Sequence, residues 1–166
     1  MPVEKIETPY NGVLVTIRSD KSYSEVTTAI EALLPRVSIE KLRELVDDGD
    51  RAGFDAYVDQ ASAPAGFSIF WEFEQGSAMR LAGIPAESKF YLVGNAVVAR
   101  DLFRYSAASG LGAPVRVCVS QHDGGQTRID LDLPTAFFSK FPETEPSTVP
   151  RQLDERMIRI LEDAAA

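Results

Sequence analysis

Two alternating runs joined by Asp-Gly-Gly constrain this chain more than any other feature. Val115, Val117 and Val119 alternate with Arg116, Cys118 and Ser120, and Ile129, Leu131 and Leu133 alternate with Arg128, Asp130 and Asp132. Side chains alternate across a strand, and residues paired across antiparallel strands point to the same side. A register wrong by one would therefore bury the charged set. Matching the aliphatic sets requires paired residue numbers that sum to an even value. A two-residue turn at Asp123-Gly124 or Gly124-Gly125 gives an odd sum and fails. A three-residue loop, Asp123-Gly124-Gly125, pairs His122 with Gln126 and satisfies the pattern. It predicts a type I turn plus bulge, with Gly125 at the positive-φ position. Val119 then faces Ile129, Val117 faces Leu131 and Val115 faces Leu133. On the other side Ser120 faces Arg128, Cys118 faces Asp130 and Arg116 faces Asp132.

The hairpin closes a longer unit, Ser88–Pro134, that reads strand, helix, strand, turn, strand. Upstream, residues 13–17 (VLVTI) predict a first strand. Ser22 and Glu25 form a capping box ahead of Val26, Ile30, Leu33 and Leu34 at helical spacing, and Pro35 ends that helix. Ser38 opens a second helix. Its S-x-x-K with Lys41 lacks the companion motifs of acyl-transfer enzymes and reads as an N-cap. Asp47-Asp48-Gly49-Asp50 is a turn, and Phe54, Tyr57 and Val58 predict a third helix before Ala63-Pro64-Ala65-Gly66. Residues 67–74 (FSIFWEFE) predict a strand with Phe67, Ile69, Trp71 and Phe73 on one face and Ser68, Phe70, Glu72 and Glu74 on the other. Asn95 is placed to cap the following helix. Pro142, Pro146 and Pro150 space out a stiff linker, after which Leu153, Met157, Ile160 and Leu161 recur at helical spacing. That stripe must be buried, on its own domain or on a neighbouring subunit.

The predicted fold is an α+β two-layer sandwich, with an antiparallel-rich sheet of about five strands and helices on one face. Residues 1–141 read as one domain with a helical insertion at 36–63, and 142–166 as the linker and an amphipathic helix. The sheet face away from the helices is then mixed. Phe70, Glu72, Glu74 and Tyr91 would lie near Arg116, Cys118, His122 and Arg128, giving a small-molecule surface, a dimer interface or a solvated face. The expected ligand-binding set is Trp71, Phe70, Tyr91, Arg116, Cys118 and Arg128. His122, Glu72 and Asp130 are the candidates for acid–base catalysis, although no sequence partner fixes His122 as a general base.

Charge narrows the partners. Seventeen Lys and Arg against 25 Asp and Glu leave a net charge of −8, which argues against binding nucleic acid or anionic lipid. Neither an apolar leader region nor a long apolar run occurs, so a cytoplasmic protein is expected. One cysteine and one histidine exclude an intrachain disulfide and a Cys/His zinc cage. No acidic metal-loop motif is present, and neither a metal nor a cofactor is expected.

The run KFYLVGNAVVARDLFRYSAASGLGAPVRVCVSQHDGGQTRIDLDLP resembles the domain-of-unknown-function family 302. The shared pattern is a strand ending at Gly94-Asn95, an Ala-rich helix, a Pro114-led valine strand, a Gly-containing hairpin and a strand closing on Pro134. Residues 13–34 are similar in kind to the family's opening. The resemblance implies an α+β sandwich, commonly a homodimer, with no settled activity and no catalytic residues to carry over. The helices at 36–63 and the tail at 142–166 stand outside the short form. The function expected is that of a small-molecule-binding protein, with its ligand on the sheet face or beneath the insertion. A cofactor-independent enzyme or a structural dimerisation module is the alternative.

Overall fold

The computed structural model describes residues 3–141 and 148–166. The Pro142–Pro146 linker therefore lies outside the described residues. Strands β1 (Leu14–Ser19), β2 (Ser68–Glu74), β3 (Ala86–Gly94), β4 (Val115–His122) and β5 (Thr127–Asp132) form one sheet in the order β1-β5-β4-β3-β2, antiparallel throughout. The helices are α1 (Tyr23–Leu33), α2 (Ile39–Asp47), α3 (Arg51–Ser62), α4 (Gln75–Leu81), α5 (Ala96–Phe103), α6 (Pro134–Phe138) and α7 (Thr148–Ala165). This is the expected α+β sandwich.

The hairpin register is the one the alternation demands: Val117 pairs with Leu131, Cys118 with Asp130, Val119 with Ile129 and Ser120 with Arg128. Val117, Val119 and Ile129 are fully buried. The loop differs in one detail. Gly125 N–H donates to His122 O at 2.8 Å, and the positive φ (69°) falls on Gly124, not on Gly125. The turn thus spends its left-handed residue one position earlier than predicted, at no change in parity.

Strand β2 departs further. A bulge between Ile69 and Trp71 puts Ile69 opposite Val93 and Trp71 opposite Leu92, with Phe70 as the extra residue. Beyond an extra residue every side chain changes face. Phe67 and Ile69 stay in the core, whereas Trp71 and Phe73 emerge on the open side, and Glu72 and Glu74 turn toward the helices. The predicted single face Phe67-Ile69-Trp71-Phe73 is therefore split in two. At the bulge, Ile69 N–H donates to Pro35 O at 2.9 Å, and its carbonyl accepts from Val37 N–H at 3.1 Å. The segment after α1 thereby covers the sheet edge before the bulge.

The core lies between the other sheet face and the helices. Val26 and Ile30 of α1, Leu102 of α5, Phe137 and Phe138 of α6, and Met157 and Leu161 of α7 pack on Tyr91, Val93, Val117 and Leu131. Helix α1 carries the capping box, with Ser22 N–H donating to Glu25 at 2.8 Å. Ser38 and Asp50 cap α2 and α3. Helix α7 docks on its own domain. Its stripe of Leu153, Met157 and Leu161 is buried, and the Ser19 hydroxyl donates to Ala165 O at 2.6 Å.

Candidate functional site

An apolar cavity of about 410 Å³ opens where β3 ends and β4 begins. Asn95 builds its entrance. Its side-chain oxygen accepts from Val97 N–H (2.9 Å) and Val98 N–H (3.1 Å), which starts α5, while its amide donates to Gly66 O at 3.0 Å and ties that start to the turn after α3. One face of α5 then supplies Val98, Leu102 and Phe103, and Pro114, Phe138 and Leu153 close the far side. Gly112 belongs to the same wall, and its other side is packed so closely that a Cβ would lie 2.1 Å from Phe137 Cε1. The volume falls in the range of pockets that enclose small molecules, about 300–1,000 Å³.

Arg100 is the charged residue of this lining. Its Nη1 donates to both oxygens of Asp55 on α3 at 3.1 and 3.0 Å, and its Nε is buried without an acceptor among the described residues. The same residue borders a shallower hollow of about 510 Å³ beneath the helical insertion, between Leu45, Val46 and Phe54 on one side and Ala96 on the other. The Arg100–Asp55 pair thus joins the insertion to α5.

The residues named from sequence are distributed over three places. Phe70, displaced by the bulge, lines the apolar cavity. Tyr91 is fully buried on the helix-facing side, not on the open face. Its hydroxyl lies 3.1 Å from Glu31, and burial together with the Glu31 charge raises its pKa. Glu72 joins it in an ion network on that side, where Arg36 and Lys89 bridge Glu31 and Glu72. Burial works to raise the Glu31 pKa, but hydrogen bonds from Lys89 and Arg36 outweigh it and hold the carboxyl below its usual range. Nearby, the Tyr23 hydroxyl donates to Glu74 at 2.7 Å; burial first, then this bond, raises its pKa.

Trp71, Arg116, Cys118 and Arg128 share the open face. Trp71 is 52% exposed, stacked on Phe73 (ring centroids 5.8 Å apart) and edge-on to Phe90. Arg116 pairs with Asp132 and Arg128 with Asp130, while Cys118 sits 3.6 Å from the Ser88 hydroxyl. The hollow lined by Arg116, Cys118 and Asp130 measures only about 170 Å³, below the usual range for a small-molecule site, and a separate one of about 340 Å³ lies at His122, Glu87 and Arg80.

The acid–base candidates do not converge. Glu72 is on the helix side and Asp130 on the open side. His122 shares Asp130's face but lies four residues past its partner Cys118, about 13 Å along the strand. Among the described residues no group of three or more His, Cys, Asp or Glu is placed to hold a metal, and no helix is long and apolar enough to cross a membrane.

Arg100 and the cavity were missed by the sequence reading. Residues 94–115 carry the available signal, a Gly-Asn helix start and a Gly-Ala-Pro strand start that bring the two chain segments together.

Comparison with known proteins agrees with this architecture. No curated protein matches the sequence. The crystal structure of the uncharacterized conserved protein DUF302 from Bacillus stearothermophilus is similar, with a TM-score of 0.64 at 15% identity, covering 91% of this chain and 97% of that one. At that identity the likeness speaks for the fold alone. The sequence itself matches the family described as Domain of unknown function DUF302 over residues 53–164, a span that takes in β2 to β5 and the C-terminal helix. On that match, joined to the strand, helix and hairpin pattern first seen in the sequence, the chain belongs to the DUF302 family.

Proposed function

We propose that this protein binds a small apolar molecule in the cavity between α5, α6 and α7. The supporting observation is the cavity itself: about 410 Å³, walled by Val98, Leu102, Phe138 and Leu153, with Arg100 as its charged member. Such a site, mostly apolar with a single orienting group, is the usual form of a small-molecule pocket. The test is the fluorescence of N-phenylnaphthylamine, a neutral apolar probe, titrated with the protein and with Ala99→Trp, which fills the lining. Saturable binding by the wild type and its loss in the folded variant are expected. Equal binding by the two proteins would disprove the site.

A second reading concerns the open sheet face, which supports homodimerisation. Trp71 and Phe73 are each about half exposed there and stack on one another, beside the Arg116–Asp132 and Arg128–Asp130 pairs. The aromatic pair lies on the edge strand β2 with the ion pairs further in, on β4 and β5; exposed aromatic residues are enriched at interfaces, and a two-fold axis at this edge would bring the aromatic patch onto its own copy. Sedimentation equilibrium should give a dimer for the wild type and a monomer for Trp71→Glu. A wild type that stays monomeric at all concentrations removes this reading.

A further inference from the structure

Lys140 holds its ammonium among three aromatic rings. Its Nζ lies 3.4 Å from the ring centroid of Phe137, 4.7 Å from that of Tyr10 and 5.4 Å from that of Phe141, all within reach of a cation–π contact. The rings stand edge to face around it: Tyr10 is inclined at 76° to Phe137 and Phe141 at 67°, with centroids 6.4 and 6.5 Å apart. Separate segments bring them together. Helix α6 supplies Phe137, and the turn in which Phe141 N–H donates to Phe138 O at 3.1 Å returns Phe141 beside it. Leu133 N–H donates to Val13 O at 2.8 Å, which draws the stretch before β1, with Tyr10, onto the start of α6.

The resident cation suits this place poorly. Lys5, Lys41 and Lys89 each reach a carboxylate, whereas Lys140 reaches none among the described residues. A second cation, the Arg116 guanidinium, lies 5.5 Å from the centroid of the same Phe137 ring. Burial first, and then the Arg116 charge, lower the Lys140 pKa, with a smaller opposing pull from Asp132. A primary ammonium is a compact, strongly hydrated charge, and here it gives up hydration without a counter-ion.

We propose that Tyr10, Phe137 and Phe141 form a binding site for the trimethylammonium group of a small molecule, with Lys140 as its exchangeable internal occupant. A quaternary ammonium has no N–H to leave unbonded, and aromatic faces are the surfaces that recognise it. Lys140 is half-buried just beyond α6, so its long side chain can swing to water and regain hydration and rotamer freedom. Tyr10 is 47% exposed in a stretch outside helix and strand, which leaves its ring room to move outward for three methyl groups. None of the three rings belongs to the lining of the apolar cavity, so this site stands or falls apart from that one.

Calorimetric titration with choline and with ethanolamine, its unmethylated analogue, tests this on the wild type, Lys140→Gln and Tyr10→Ala, each checked for folding by circular dichroism. The wild type should bind choline saturably and at least about threefold more tightly than ethanolamine. Lys140→Gln, which removes the internal competitor and a like charge, should bind choline more tightly than the wild type. Tyr10→Ala, a change at a half-exposed ring outside the core, should weaken choline about threefold or more. Equal affinity for the two amines, unchanged binding by Tyr10→Ala, or weaker binding by Lys140→Gln overturns the proposal. So does failure of the wild type to bind choline. Binding by Lys140→Gln alone counts against it too, because Lys140 would then be a permanent occupant and the rings a structural clasp.

Discussion

Asp154 shows how one carboxylate can organise a helix junction at a cost. It sits on α7, buried, and accepts from Thr135 N–H at 3.0 Å and from the Thr135 hydroxyl at the start of α6. Burial raises its pKa, and the two bonds from Thr135 only partly oppose this. The folded state therefore binds its proton more readily than the unfolded chain. The stability that Asp154 contributes is full below its unfolded pKa and is lost as pH rises through the folded value. Asp154→Asn keeps an acceptor for Thr135 N–H and removes the buried charge. Urea denaturation should show the variant gaining relative to the wild type near neutral pH, with the gain shrinking as pH falls through the raised folded value to the ordinary Asp range and constant below it. A difference independent of pH would mean that Asp154 does not titrate with folding. At this scale the sequence was legible where a residue acts on its own helix: Ser22, Ser38 and Asn95 all cap as their local spacing indicates. It was silent on Asp154, whose partner is 19 residues away in the chain.

Among elements, the hairpin and β2 make an instructive pair. The hairpin register follows from alternation because both strands are regular and a one-residue slip would bury Arg128 and Asp130. Deleting Gly125 imposes that slip. Circular dichroism and urea denaturation should show an unfolded chain or a loss of more than about 3 kcal/mol, since the displaced charges enter the core unpaired. A variant as stable as the wild type would show that the strands can re-register through another loop. Strand β2 has the same alternation, yet it misleads, because the bulge at Phe70 reverses the faces after Ile69. The bulge coincides with pairing on the outer side, where Pro35 and Val37 bond to Ile69. That contact is made by a distant segment, so nothing within FSIFWEFE announces it. One inserted residue moved Trp71 to the open face and sent Glu72 to the ion network with Arg36 and Lys89.

For the whole molecule, the C-terminal helix completes the core. Met157, Leu161 and Ala164 are fully buried against α1, α6 and the sheet. Leu161→Ala should cost about 2–5 kcal/mol and Arg159→Ala, on the exposed side, under about 0.5 kcal/mol, read from urea midpoints. Equal effects would mean that α7 is not docked in solution. By itself the sequence determined the fold class, the hairpin register, the helix caps and the stripe that α7 must bury, because each follows from the 2.0 and 3.6 residue periods and from bonds within a few residues. Only the tertiary structure decided that α7 packs on α1 and α6 of its own chain, which way Trp71 faces, and that Gly94, α5 and Pro114 leave a cavity beside Arg100. Each of these depends on contacts between segments far apart in the chain, where edge pairing, helix docking and the residual space between packed layers are set together.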